Sequence, residues 1–285
     1  MPTFDHNDLL LPPEPGQRAL ARELYALAAE QPIISPHGHV DPALLAEDRP
    51  FPDPAQLLIV PDHYLTRMLL SQGVPPSDLG VPTRDGSPVE TNGRVIWRRF
   101  AAHWHLFRGT PSRLWLEQTF RTVFGVHTPL GPATADTLYD EIAARLAEPN
   151  FRPRALFERF NIEVLATTES PLDDLGQHAK LAADGWGGPG GRVVTTFRPD
   201  DVVDMEFDGW STNVERLGER AGEDTGTYAG YLAALRARRA AFIAAGATSS
   251  DHGHPTARTL DLTPAEAERL YDRGRRGEAD AAYAE

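Results

Sequence analysis

The feature that most constrains the fold is an alternation of short apolar segments with helical stretches, each apolar segment running into a polar cluster. Ile33-Ile34-Ser35 reads as a short buried strand, set off by Pro32 and ended by Pro36. Ile162 to Thr168 and Val193 to Phe197 read as further strands, and Ala247 to Ser249 as a shorter one. Between them, Leu20, Leu24, Tyr25 and Leu27 fall close to helical spacing within 17–30. Tyr228, Tyr231, Leu235, Phe242 and Ile243 predict a long helix over 228–245 with these residues towards a core. Ser170-Pro171, with Asp173 three residues after the serine, predicts a capped helix start, and Thr263-Pro264-Ala265-Glu266 predicts another by the same logic. Strands joined through helices run parallel, so the fold class is α/β.

Residues 42–150 interrupt this rhythm. Proline is frequent from 42 to 88, and helical pieces are expected near 63–72 and 93–105, around Leu114 to Phe124, and where Leu138, Ile142 and Leu146 recur every four residues. The stretch reads as a mostly helical insertion after the first strand. The polar clusters at 37–39, 169–174, 198–201 and 250–254 all follow strands. In a (β/α)₈ TIM barrel such positions gather at the catalytic mouth. A doubly wound sheet also places sites at strand ends, but the His-x-His pair favours the barrel. The glycine-rich stretch 185–191 reads as a loop and lacks the residues of a nucleotide-binding motif.

Among the 285 residues, 41 acidic side chains against 28 basic give a formal net charge of −13. That balance argues against a nucleic-acid partner, which calls for a positive face. Arg236, Arg238 and Arg239 read as the solvated face of a helix, and a few local arginines still suffice for a small anionic metabolite. The absence of cysteine excludes disulfides and thiolate metal sites. No apolar run is long enough to span a bilayer, and the first twenty residues lack a signal-peptide pattern. The expectation is a cytoplasmic protein with no membrane partner.

Chemistry concentrates in the polar clusters. His37 and His39, two apart on an extended segment, share a face, and Gly38 leaves room between them. Neutral imidazoles suit a divalent transition metal, with further ligands needed; structural hydrogen bonding is the other reading. Asp62-His63-Tyr64, with Arg67 one turn on, is a proton-handling trio or a helix cap beside a half-buried aromatic ring. Glu169, Asp173 and Asp174 reach a substrate hydroxyl or a metal, or serve as caps. Arg198 holds a carboxylate or pairs with Asp200 or Asp201. His252 is a ligand or a substrate contact, with Asp251 orienting it, or the segment is an Asx-stabilised loop. A Ser-His-Asp hydrolase is disfavoured because no Gly-x-Ser-x-Gly elbow is present.

Taken in order, several stretches resemble the uronate (glucuronate) isomerase family of the metal-dependent amidohydrolase superfamily. They are His37-Gly38-His39-Val40-Asp41-Pro42, Glu47-Asp48-Arg49-Pro50-Phe51, Asp62-His63-Tyr64, Leu165 to Asp174, Phe197-Arg198-Pro199-Asp200 and Ser250-Asp251-His252-Gly253. The resemblance runs from about residue 27 onward. It implies a metal-dependent-hydrolase-type (β/α)₈ barrel and aldose–ketose isomerisation of D-glucuronate to D-fructuronate and of D-galacturonate to D-tagaturonate through an enediol. It implies one divalent ion on His37 and His39, zinc first with manganese or another ion as alternatives. His63, Tyr64, Asp251 and His252 become the catalytic candidates, and Arg198, Glu169 and Arg67 the substrate contacts. The implied partner is a small uronate, with a homo-oligomer left open.

Thr168-Glu169-Ser170 departs from the family's more usual Thr-Asp-Asp, and His254 is less expected than its neighbours. Family members also continue into later barrel strands, which supply an aspartate completing the metal site and a nearby arginine. Residues 1–285 are therefore expected to form the N-terminal part of one barrel domain, with 42–150 as its insertion and the remaining strands absent. A hydrolase or decarboxylase of the same superfamily, or an inactive fragment or binding module, stands as the alternative.

Overall fold

The computed structural model describes residues 8, 10–186, 192–253 and 259–278. His254, most of the glycine-rich stretch, the first seven residues and the polar run after residue 278 lie outside the described residues.

Along the chain, α1 (Pro15–Ala28) leads to β1 (Ile33–Ser35). The inserted segment then carries α2 (His63–Leu70), α3 (Gly93–Ala102), α4 (Pro111–Gln118) and α5 (Ala135–Leu146). The parallel pattern resumes with β2 (Ile162–Ala166), α6 (Gly176–Ala183), β3 (Arg192–Val194), α7 (Trp210–Ala221), α8 (Tyr228–Ala244) and α9 (Pro264–Arg275). Two compact units result. One joins residues 1–46 to 158–285, and the other comprises Glu47–Phe157.

The first unit is built on an open parallel sheet of order β1-β2-β3 that does not close. Ile34 pairs with Val164, and Leu165 with Val193. Beyond the strands, the ladder continues as single links. Glu169 bridges Phe197, Phe197 bridges Ser250, and the Asp251 amide donates to the Phe197 carbonyl at 3.0 Å. Strand tips 37–39, 167–169, 196–198 and 249–251 thus line up in one row. This is an incomplete TIM-barrel arrangement with a helical insertion after the first strand. Helices α7, α8 and α9 share a core of Trp210, Val214, Leu217, Tyr231 and Tyr271, while Phe242 of α8 packs edge-on against Phe197 at 5.1 Å.

Several expectations are corrected. The strand expected at 247–249 is a single bridge at Ser250. Ile33 and Ile34 are not buried but 49% and 62% exposed, because among the described residues β1 pairs with β2 alone and no strand pairs with its other edge. Ile243 is likewise exposed on α8. Ser170 does not cap a helix. Its hydroxyl donates to Asp201 at 2.6 Å, and Asp173 and Asp174 accept from the amides of Leu175 and Gly176, which holds the chain in turns until α6 begins. Arg238, read as solvated, donates instead to the Pro171 and Asp173 carbonyls across this turn. Thr263, by contrast, forms a full capping box with Glu266.

The second unit has its own core around Trp97. The indole donates to the Ala135 carbonyl at 2.9 Å, and Phe100, Phe120 and Tyr139 surround its ring. Leu138, Ile142 and Leu146 present one face of α5 to this core, as their spacing requires. No helix among the described residues is long and apolar enough to cross a membrane.

Candidate metal centre

His37 and His39 sit on the turn that leaves β1. Their rings lie 4.8 Å apart, centroid to centroid, and nearly perpendicular, so both imidazoles border one space. Asp251, at the tip of the fourth strand position, joins them. Its Oδ2 lies 3.7 Å from His37 Nδ1, and one ligand atom from each of the three residues falls within 4.8 Å of the others. Two ligand atoms each about 2.1 Å from one tetrahedral ion stand about 3.4 Å apart. A pair at 4.8 Å therefore needs to close by about 1.4 Å, a movement within reach of rotamer changes in exposed histidine side chains. Two neutral imidazoles and one carboxylate are a donor set that suits zinc or a neighbouring divalent ion. Asp251 is thus a candidate donor beside the two histidines, in addition to the aspartate expected from a later strand.

Arg198 braces this carboxylate. Its Nη1 donates to Asp251 Oδ2 at 2.8 Å and its Nε to Asp200 Oδ2 at 2.8 Å. Asp200 in turn accepts from the Gly253 amide, which fixes the end of the 250–253 segment. The guanidinium bridges two carboxylates through one charge-assisted hydrogen bond to each.

The other predicted site residues fall elsewhere. Glu169 is 6% exposed and accepts from the Thr195 hydroxyl; its carboxylate lies 3.7 Å from His178 of α6, which is equally buried. The pleat turns the Thr167 and Glu169 side chains towards α6, away from that of Thr168, so at this strand tip the Glu169 carboxylate lies in the layer between sheet and helix. His252 follows Asp251 on an extended segment and turns to the other side. It lines a cavity of about 360 Å³ with Leu232, Leu235 and Arg239 of α8. In the inserted unit, Asp62 caps α2 through the amides of Tyr64 and Leu65. That cap sets His63 and Tyr64 side by side at 4.2 Å between ring centroids, both exposed, with Arg67 exposed one turn on.

Comparison with known proteins gives this geometry its context. The glucuronate isomerase family profile matches residues 1–283. The chain belongs to the glucuronate isomerase family. A uronate isomerase of Mesorhizobium japonicum is 61% identical over 273 residues, covering 96% of this chain and 58% of the relative. The crystal structure of glucuronate isomerase from Caulobacter crescentus superposes with a TM-score of 0.92 at 50% identity, over 98% of this chain and 58% of that one. The uronate isomerase of Thermotoga maritima gives 0.84 at 26% identity. The chain therefore spans somewhat under three fifths of the length of these glucuronate isomerase relatives.

Residue-by-residue reading missed the threonines. Thr168 Oγ1 donates to the Gly38 carbonyl at 2.8 Å, tying the histidine turn to β2. Thr167 and Thr195 hydrogen-bond His178 Nε2 and Glu169 Oε2 beneath, while Glu169 Oε1 and His178 Nδ1 find no partner among the described residues. The available signal was the Thr-Thr pair at the end of each of two adjacent parallel strands, 167–168 and 195–196, where alternate hydroxyls face opposite sides of the sheet.

Proposed function

We propose that the whole protein is a uronate isomerase, interconverting D-glucuronate with D-fructuronate and D-galacturonate with D-tagaturonate. The observation that carries this is the convergence of His37, His39 and Asp251 at one row of strand tips, in a chain of the glucuronate isomerase family. A divalent ion bound to these donors, zinc by preference, supplies a Lewis acid for the substrate carbonyl or its neighbouring hydroxyl. Arg198 holds Asp251 towards His37 and presents the rest of its guanidinium to the substrate carboxylate. In the isomerisation a proton leaves C2 and one is delivered to C1, while another passes between O1 and O2. The family resemblance makes His63 and Tyr64 the candidates for the oxygen-bound proton, since an imidazole and a phenol both serve that chemistry, with Arg67 a candidate anion contact. The substrate is a small uronate, and the location is cytoplasmic.

The test is to incubate the product of the whole reading frame with each uronate in deuterated water and follow the sugars by NMR. Ketose formation with deuterium exchanged at the migrating position is the expected result. No turnover of either sugar, or a hydrolysed or decarboxylated product, would refute the isomerase assignment.

A further inference from the structure

The two histidines occupy a turn that little else restrains. The His37 side chain is 54% exposed, and His39 is exposed as well. Exposed imidazoles sample several rotamers, so their ability to converge depends on where the backbone between them is held. The carbonyl of Gly38 lies between the two residues. Because the peptide unit is planar, fixing that oxygen fixes the plane from Gly38 Cα into His39, leaving the Gly38 dihedrals to set the direction of His37. The Thr168 hydroxyl fixes that oxygen, at 2.8 Å. A second restraint comes from steric fit. A Cβ on Gly38 would meet the Ala166 carbonyl at 3.1 Å, so the turn lies against the tip of β2 as closely as a glycine allows. Ser35 Oγ reaches the His37 carbonyl only at 3.4 Å and is the weaker tie. Threonine suits the anchoring position because its branched Cβ limits χ1 and keeps the hydroxyl aimed at one acceptor.

We infer that Thr168 is the positioning residue of the histidine pair: through the Gly38 carbonyl it presets the separation of His37 and His39 for a divalent cation. The inference rests on the metal-binding reading of that pair. Partners that orient ligands without touching the metal commonly change affinity by about 10–100-fold when removed.

The experiment measures zinc affinity of the purified protein by competition with a chromophoric chelator, alongside the melting temperature of the metal-free form. Variants are T168V, T168S and the double change H37A/H39A. Thr168 as positioning residue predicts a T168V dissociation constant about 10–100-fold weaker than the parent, a metal-free melting temperature close to the parent's, and T168S restoring affinity. If T168V does not fold, T168A replaces it in the same comparison with T168S. Parent and T168V binding zinc equally, with H37A/H39A losing it, would overturn the role of Thr168 and leave the metal site standing. A parent that binds zinc no better than H37A/H39A would overturn the metal reading itself, and the inference with it.

Discussion

Asp251 Oδ2 faces two claimants, the Arg198 guanidinium at 2.8 Å and the His37 ring at 3.7 Å. Arginine aims the carboxylate through this ion pair, so exchanging Asp251 for an amide removes both a ligand oxygen of the acid and the ion pair. D251N is expected to weaken zinc binding by at least the roughly tenfold seen for outer partners, as read by chelator competition; unchanged affinity would remove Asp251 from the donor set. Asp201 makes a different prediction. Burial pushes its carboxyl above the usual aspartate range, with the Ser170 hydrogen bond partly opposing, and its Oδ1 has no hydrogen-bond partner. An acid whose pKa is raised on folding contributes stability at low pH and loses it as the pH climbs through the folded value. Ionised Asp201 therefore weakens the fold at neutrality. D201N should melt higher than the parent at pH 7, with the gap closing as the pH falls towards about 4; a lower melting temperature at pH 7 would contradict this.

Local elements show where a sequence speaks for itself. Thr263 and Glu266 cap α9 with partners three residues apart, and α9 sets Tyr271 against Trp210 and Tyr231. T263A should cost about 0.5–2 kcal/mol, read as a lower urea midpoint and faster amide exchange in α9. Everything that cap needs lies within four residues, so it was legible. Ser170-Pro171 carries a comparable pattern and starts no helix, because its hydroxyl answers to Asp201, 31 residues away. The facing of Glu169 and His252 was not legible for a related reason. Their clusters follow strands as expected, but which neighbour faces the row of tips depends on the phase of the pleat, and that phase is set by pairing with Thr196, Phe197 and Ser249. His37, His39, Arg198 and Asp251 needed only the order of parallel strands to be brought near one another.

At the scale of the molecule, the two units are apolar in different places. The inserted unit buries Leu138, Ile142 and Trp97 completely, so L138A should cost about 2–5 kcal/mol in its own unfolding transition. In the other unit α1 buries none of its residues, Leu20, Leu24, Tyr25 and Leu27 are 57–74% exposed, and among the described residues β1 is an edge strand of the sheet. Exposed apolar stripes and open strand edges promote association. L24E is expected to reduce self-association in light scattering while leaving the melting temperature within about a degree; a destabilised variant would mean that α1 packs against something in solution. The α/β class, parallel order and helical insertion were all visible in the pattern of strands and prolines. The exposure of β1 was not, because Ile33-Ile34 reads the same whether one face of a strand is covered or both.

The most direct test of the site is anomalous X-ray diffraction at the zinc edge, on crystals of the protein grown with zinc. A single strong peak within bonding distance of His37, His39 and Asp251 is the predicted result. Zinc bound elsewhere, or these three side chains turned apart with no peak between them, would contradict it.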